Sequence, residues 1–141
     1  MSALEELAPT FDQAFDALER GDLDRFVEIV STQVGADCEF RSAIGSVVGG
    51  GTYKGVEGVR TWFADFLATT SERHWRDRRY ETYGDDIIVM LADLELIGAA
   101  SGVAVEDETG AVFKYENGRC VRIDSFMSKD EARQFAEAHI A

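Results

Sequence analysis

The sequence predicts an α+β fold, with helices packed on one face of a curved antiparallel sheet, and three observations predict it. Apolar residues recur at helical spacing through the first half of the chain, up to Leu67. Strand-like segments joined by short glycine turns fill the second half, up to Phe126. Between the last two of these segments lies Asn117-Gly118, the strongest local hairpin signal in the chain, because a type I′ turn needs positive φ at both central residues. Segregated helices and hairpin-linked strands make an α+β architecture rather than a parallel one.

The first helix is read from Leu4, Leu7, Phe11, Phe15 and Leu18, which lay one apolar stripe along a helix. Pro9 is tolerated in a first helical turn but not in an interior, so a short leading turn with a restart near Thr10, or a kink, is expected. Gly21 ends the element, and Asp22 caps a second helix whose inner face is Leu23, Phe26, Val27 and Val30. Residues 37–42 (DCEFRS) alternate as a short strand, and the glycine-rich run 43–52 is a loop. A third helix begins after Tyr53 to Gly55 and carries Val56, Val59, Trp62, Phe63, Phe66 and Leu67, a stripe of core type. Strands follow over 74–83, 87–97 and 103–116, with an irregularity expected near Thr109-Gly110. In the last hairpin the turn sets the register. Ala111, Phe113 and Tyr115 share one face, Val121, Ile123, Ser125 and Met127 share one face of the next strand, and Cys120, Arg122, Asp124 and Phe126 take the other. Ser128, three residues before Glu131, starts a final helix with Ala132, Phe135, Ala136 and Ile140 on its apolar side.

At 141 residues the chain is expected to form a single domain over residues 1–141. Its 14 Lys and Arg against 27 Asp and Glu give a net charge of −13, which repels nucleic acid and anionic membrane surfaces at long range. No apolar run approaches the roughly 20 residues of a membrane span, and MSALEELAPT lacks the pattern of a secretory signal. A cytoplasmic location is the expectation. Cys38 and Cys120 lie in strand-like stretches without metal-ligand spacing and read as buried thiols.

Several stretches together resemble the SnoaL-like branch of the nuclear-transport-factor-2-like superfamily: RGDLDRFVEIV, DCEFRS, GGGTYKGVEGVRTWF, the Ser101-Gly102 turn, and ENGRCVRIDSF ahead of KDEA. The resemblance implies a strongly curved sheet wrapped round three to four helices as a cone, with an internal pocket. It also implies a homodimer through the outer sheet face. Related enzymes include polyketide cyclases, ketosteroid isomerases and epoxide hydrolases, which work without metal or organic cofactor, so the fold leaves the activity open. This chain departs from each of them. The tyrosine of the isomerases falls on Ala14, their general-base aspartate on Ser42 and their oxyanion-stabilising aspartate on Ala111. The cyclase-type acid also falls on Ala111, and the last-strand carboxylate of the epoxide hydrolases falls on Ser125.

Acid–base chemistry needs a titratable group in a dry pocket. The candidate catalytic residues are therefore Tyr115, Tyr53, His74 and Asp77, the last facing inward only under one strand register. His139 is better explained by the C-terminus of the final helix. Asp93 and Glu95 share the face opposite Met90, Ala92, Leu94 and Leu96, which places them outward, near Arg122 or Lys114. The expected pocket wall is apolar: Phe15, Phe40, Trp62, Phe66, Met90, Phe113, Ile123 and Met127, with Ser42 and Ser125 adding hydroxyls. A serine without a histidine and a carboxylate is not an activated nucleophile. Three functions follow: a pocket for a small apolar, cyclic molecule; a cofactor-free cyclase, isomerase or hydrolase in that pocket; or an interaction module with a filled cavity and Phe126, Val112 and Cys120 as interface core.

Overall fold

The computed structural model describes residues 5–42 and 52–140. A 3₁₀ turn, Glu5–Leu7, leads into α1 (Ala8–Glu19), followed by α2 (Leu23–Ser31), β1 (Val34–Ser42), β2 (Thr52–Lys54) and α3 (Gly55–Thr69). The second half runs β3 (Thr70–Tyr83), β4 (Ile87–Gly98), β5 (Ala104–Glu116), β6 (Arg119–Phe126) and α4 (Lys129–Ala138). Leu4 and residues 43–51 of the expected loop lie outside the described residues, and Thr52, read as the end of that loop, opens β2.

Local chemistry explains the starts and stops. Pro9 sits in the first turn of α1, so the leading turn followed by a helix is the alternative realised. Gly21 has φ +74, and the Asp22 carboxylate accepts from the Arg25 backbone N–H at 3.1 Å. Asn117 and Gly118 have φ +51 and +77, as the type I′ turn demands. Ser128 caps α4 by accepting from the Glu131 N–H at 3.2 Å.

The six strands run in the order β2-β1-β6-β5-β4-β3. All neighbours are antiparallel except β1 and β6, which pair in parallel with Phe40 opposite Ile123. This corrects the wholly antiparallel expectation. Parallel partners require a long crossover, and the chain between β1 and β6 supplies one with most of the remaining sheet.

The β4–β5 register runs unbroken through Thr109-Gly110, and the irregularities lie elsewhere, two of them bearing on the site. In β3 the pairing steps from Arg76 opposite Asp93 to Arg79 opposite Leu91, leaving Asp77 and Arg78 against Ala92 alone, and Asp77 takes φ +54. In the last hairpin Lys114 faces Arg122 but Tyr115 faces Cys120, so Val121 is the extra residue. Beyond that bulge the alternation is inverted. Cys120 therefore shares the inner face with Ile123 and Ser125, which corrects its outward assignment and removes Val121 from that face.

The sheet carries apolar layers on both sides. On the inner side α1, α2 and α3 pack onto Ile88, Met90, Ala92 and Leu94. On the outer side α4 lays Ala132 and Ala136 on Ile87, Val89, Leu91 and Val112, with Phe126 and Phe135 at the margin. The expectation of helices on one face only is thus corrected. Gly110 shows why α4 approaches so closely, since a Cβ there would stand 2.5 Å from the Ala132 Cβ. Ion pairs fasten the helix at its edges: Lys129 to Asp93 at 2.8 Å, and Arg133 to Glu81 at 3.1 Å. Ile140, expected on the packed side of this helix, follows its end and is exposed. Val112 and Phe126, read as possible dimer-interface core, are covered by the chain's own helix.

Candidate functional site

Between the inner sheet face and the three inner helices lies a cavity of about 100 Å³. Its walls are assembled from most of the fold. Of the residues named from the sequence, Phe15 comes from α1, Phe40 from β1, Trp62 and Phe66 from α3, Met90 from β4, Phe113 from β5, and Ile123 and Ser125 from β6. The aromatic side chains brace one another. Trp62 stacks on Phe66 with centroids 5.2 Å apart, Phe40 lies 5.4 Å from Trp62, and Trp75 bridges Phe66 and Phe15 at 6.0 and 5.3 Å. Such tilted and offset contacts hold each ring in place and keep the wall from collapsing into the void.

Of the four catalytic candidates, Tyr115 reaches this cavity. It is buried, and its hydroxyl donates to the side-chain amide oxygen Oε1 of Gln33 at 3.4 Å. Burial, then the nearby Cys120 and Cys38, push its hydroxyl pKa up, so Tyr115 is a neutral donor rather than a phenolate.

The other three do not line it. His74 points to the outer face opposite Glu95, because its neighbour Trp75 takes the inner side. Asp77 is turned to solvent by its own bulge, which sends Arg78 and Tyr80 towards α1 instead. Tyr53 lies behind the wall, its ring 6.4 Å from Phe40. Met127 falls beyond the end of β6, at the bend before α4, and is also absent from the wall. Ser42 closes β1 opposite Ser125, but its side chain lies outside the described part.

Asp93 and Glu95 face outward as expected, with different partners: Lys129 of α4 holds Asp93, and Arg76 meets Glu95 at 3.1 Å. His139 places Nδ1 2.8 Å from the Phe135 carbonyl oxygen in the last turn of α4, the helix-end role expected of it.

Several wall residues escaped the sequence reading. Gln33 follows α2 and supplies Tyr115 with its acceptor, and Thr109 presents its hydroxyl beside Ala111. Cys38 and Cys120 are both buried, unbridged thiols, as expected. The hydrogen bond with Cys38, followed by burial, pushes the Cys120 thiol up, so it is a neutral thiol rather than a thiolate. Trp75 was legible as the inward partner of a strand alternation. No sequence signal announced Gln33 or the bulge that turned Cys120 inward.

Behind the wall, Arg78 clamps α1 to β3. Its guanidinium reaches Asp16 at 2.9 Å, Glu19 at 3.2 Å and Asp12 at 3.3 Å, and lies 5.7 Å from the Phe15 ring centre. Tyr80 adds a hydrogen bond to Asp12 at 2.7 Å. Arg73 is buried and donates to the Leu18 and Thr70 carbonyl oxygens at 3.1 and 2.8 Å, tying the end of α1 to the start of β3. The charged strand RDRRYE is therefore a helix clamp on one side, not solvated throughout.

No charged side chain lines the cavity among the described residues, and its titratable groups there are Tyr115 and Cys120. The sequence matches the SnoaL-like domain over residues 11–123, most of the chain. The protein belongs to the SnoaL-like family. Solved structures agree on the fold of this SnoaL-like chain. A nuclear-transport-factor-2-like protein of unknown function from Burkholderia pseudomallei superposes with a TM-score of 0.69 at 21% identity, covering 89% of this chain and 93% of that one. TerC, co-crystallised with polyporic acid, gives 0.67 at 15% identity, with coverage of 92% and 96%. A protein of ketosteroid-isomerase-like fold from Catenulispora acidiphila, in complex with trimethylamine, gives 0.68 at 13% identity, with coverage of 95% of each. No curated protein matches the sequence. These likenesses show an α+β cone; at such identities they do not carry an activity. Among the described residues no helix is long and apolar enough to cross a membrane.

Proposed function

We propose that this SnoaL-like chain binds a small, apolar, ring-sized molecule in its inner cavity. The observation that carries this reading is the wall itself, which is aromatic and aliphatic with a few hydroxyls and no charged group among the described residues. Its volume, about 100 Å³, falls below the roughly 300–1,000 Å³ of drug-sized sites and suits a single ring. Ala14, Ala111 and Ser125, where related enzymes carry catalytic groups, all lie on this wall, so the chemistry is missing where the resemblance expects it. That TerC was co-crystallised with polyporic acid and the Catenulispora protein is in complex with trimethylamine supports a small-molecule role for proteins of this fold.

Native mass spectrometry of the purified protein tests the reading. A discrete adduct that survives mild ionisation and is lost from the Ala111→Leu variant is expected. An adduct equally retained by that variant would place the ligand elsewhere.

A second reading, a cofactor-free cyclase, isomerase or epoxide hydrolase, is favoured by Tyr115, a neutral hydroxyl in a dry wall. With no histidine or carboxylate on the wall among the described residues, ligand binding should be flat between about pH 5 and 9. Unchanged turnover of a discovered substrate by Tyr115→Phe would remove that residue from the mechanism. Homodimerisation through the outer face would have to use its polar part, around Arg76 and Glu95, because α4 already covers the apolar part.

A further inference from the structure

We infer that the molecule held in this cavity carries a neutral hydrogen-bond acceptor, a carbonyl or ether oxygen, that meets the indole N–H of Trp62. The inference rests on the pocket reading above and narrows it to a ligand class. Trp62 is 4% exposed and lies on the cavity wall, and its Nε1 is buried without a hydrogen-bond partner among the described residues. Indole nitrogen is a donor with no accepting capacity, so what it lacks is an acceptor. Buried donors are ordinarily paired, because leaving one unpaired forfeits its hydration with nothing in return. Around Trp62 stand the rings of Phe40, Phe63 and Phe66, none of which offers an acceptor atom.

Other buried polar groups on the wall are engaged. The Tyr115 hydroxyl donates to Gln33, the Thr109 hydroxyl donates to the Phe126 carbonyl oxygen at 3.1 Å, and the Cys120 thiol lies 3.5 Å from the Arg122 carbonyl oxygen. Among the described residues, the Trp62 Nε1 is therefore the fully buried wall donor with an unmet requirement of a kind a ligand can supply. Charge then narrows the class. An anionic acceptor would enter a wall with no cation among its described residues, in a chain of net charge −13, and would be neither paired nor hydrated. A cation would be drawn to the ring faces but brings no acceptor to the N–H. What fits is an uncharged ring bearing one oxygen acceptor.

Acetophenone and α-methylstyrene test this with the full chain, since they have nearly the same shape and differ in C=O against C=CH₂. Their dissociation constants are measured by titration for the native protein and for Trp62→Phe. The ratio of the two constants should change by about five- to tenfold between the proteins, the size of one hydrogen bond, with acetophenone losing its advantage in the variant. In the native protein alone, the Trp62 indole N–H resonance, assigned by its through-space contacts to Phe40 and Phe63, should move with acetophenone and stay with α-methylstyrene. That second readout holds even where Trp62→Phe fails to fold. Equal ratios in the two proteins, or an indole resonance indifferent to the carbonyl while both probes bind, overturn the Trp62 inference and leave the pocket standing. Failure of both probes to bind the native protein overturns the pocket reading, and this inference with it.

Discussion

β4 is buried on both of its faces, and the two faces are packed to different ends. Ile87, Val89 and Leu91 point outward beneath α4, where Gly110 lets the Ala132 methyl group approach the sheet backbone closely. Ile88, Met90, Ala92 and Leu94 point inward among three helices, and there large rings meet at tilted angles and leave the cavity beside Met90. The difference comes from side-chain size across the interface. Alanines and a glycine nest a helix flat against a sheet, whereas phenylalanines and tryptophans hold the opposing elements apart. A filled face stabilises the fold, and an incompletely filled one leaves room for a guest.

If that contrast is correct, equal truncations on the two faces have unequal consequences. Leu91→Ala empties the filled side and should cost about 3 kcal/mol in chemical denaturation, without changing ligand binding. A loss under about 1 kcal/mol would mean that α4 is loosely seated. Gly110→Ala is the opposite insult on the same face. The new methyl group meets a Cβ fixed to helix backbone, not the end of a flexible side chain, so α4 must move and about 2 kcal/mol should be lost. On the inner face, Ala111→Leu adds bulk to a wall that has space for it. Stability should change by less than about 1 kcal/mol while binding of any cavity ligand is abolished. A variant that still binds would show that the void is not the site.

The smallest effect concerns the rim of the outer face and depends on pH. Hydrogen bonding from Arg133 holds the Glu81 carboxyl below its ordinary value of 4.5. A carboxyl depressed in the folded state stabilises above its unfolded pKa, and that stabilisation fades as pH falls through the folded value. Both side chains are more than a third exposed, so screening keeps the effect small. The native protein should exceed Glu81→Gln slightly in urea midpoint above pH 5, and the difference should close below 4.5. A difference that persists in acid would assign the tether to packing rather than charge.

The features that the sequence alone determined are those whose cause lies within a few residues. Asn117-Gly118, Gly21, Asp22 and Ser128 act through their own φ preferences or their reach to a nearby N–H, so turns and caps were legible without any partner. The aromatic wall was legible too, because Phe15, Trp62, Phe66 and Phe113 could not all be buried except together. Only the tertiary structure decided where a side chain points past a bulge. Asp77 faces solvent and Cys120 faces inward because a bulge interrupts each of their hairpins, and a single extra residue inverts the side-chain alternation around it. It also decided that β1 runs parallel to β6 and that α4 crosses to the outer face. Both outcomes depend on which surfaces remain uncovered once the other elements have packed, and no local preference of the chain encodes that.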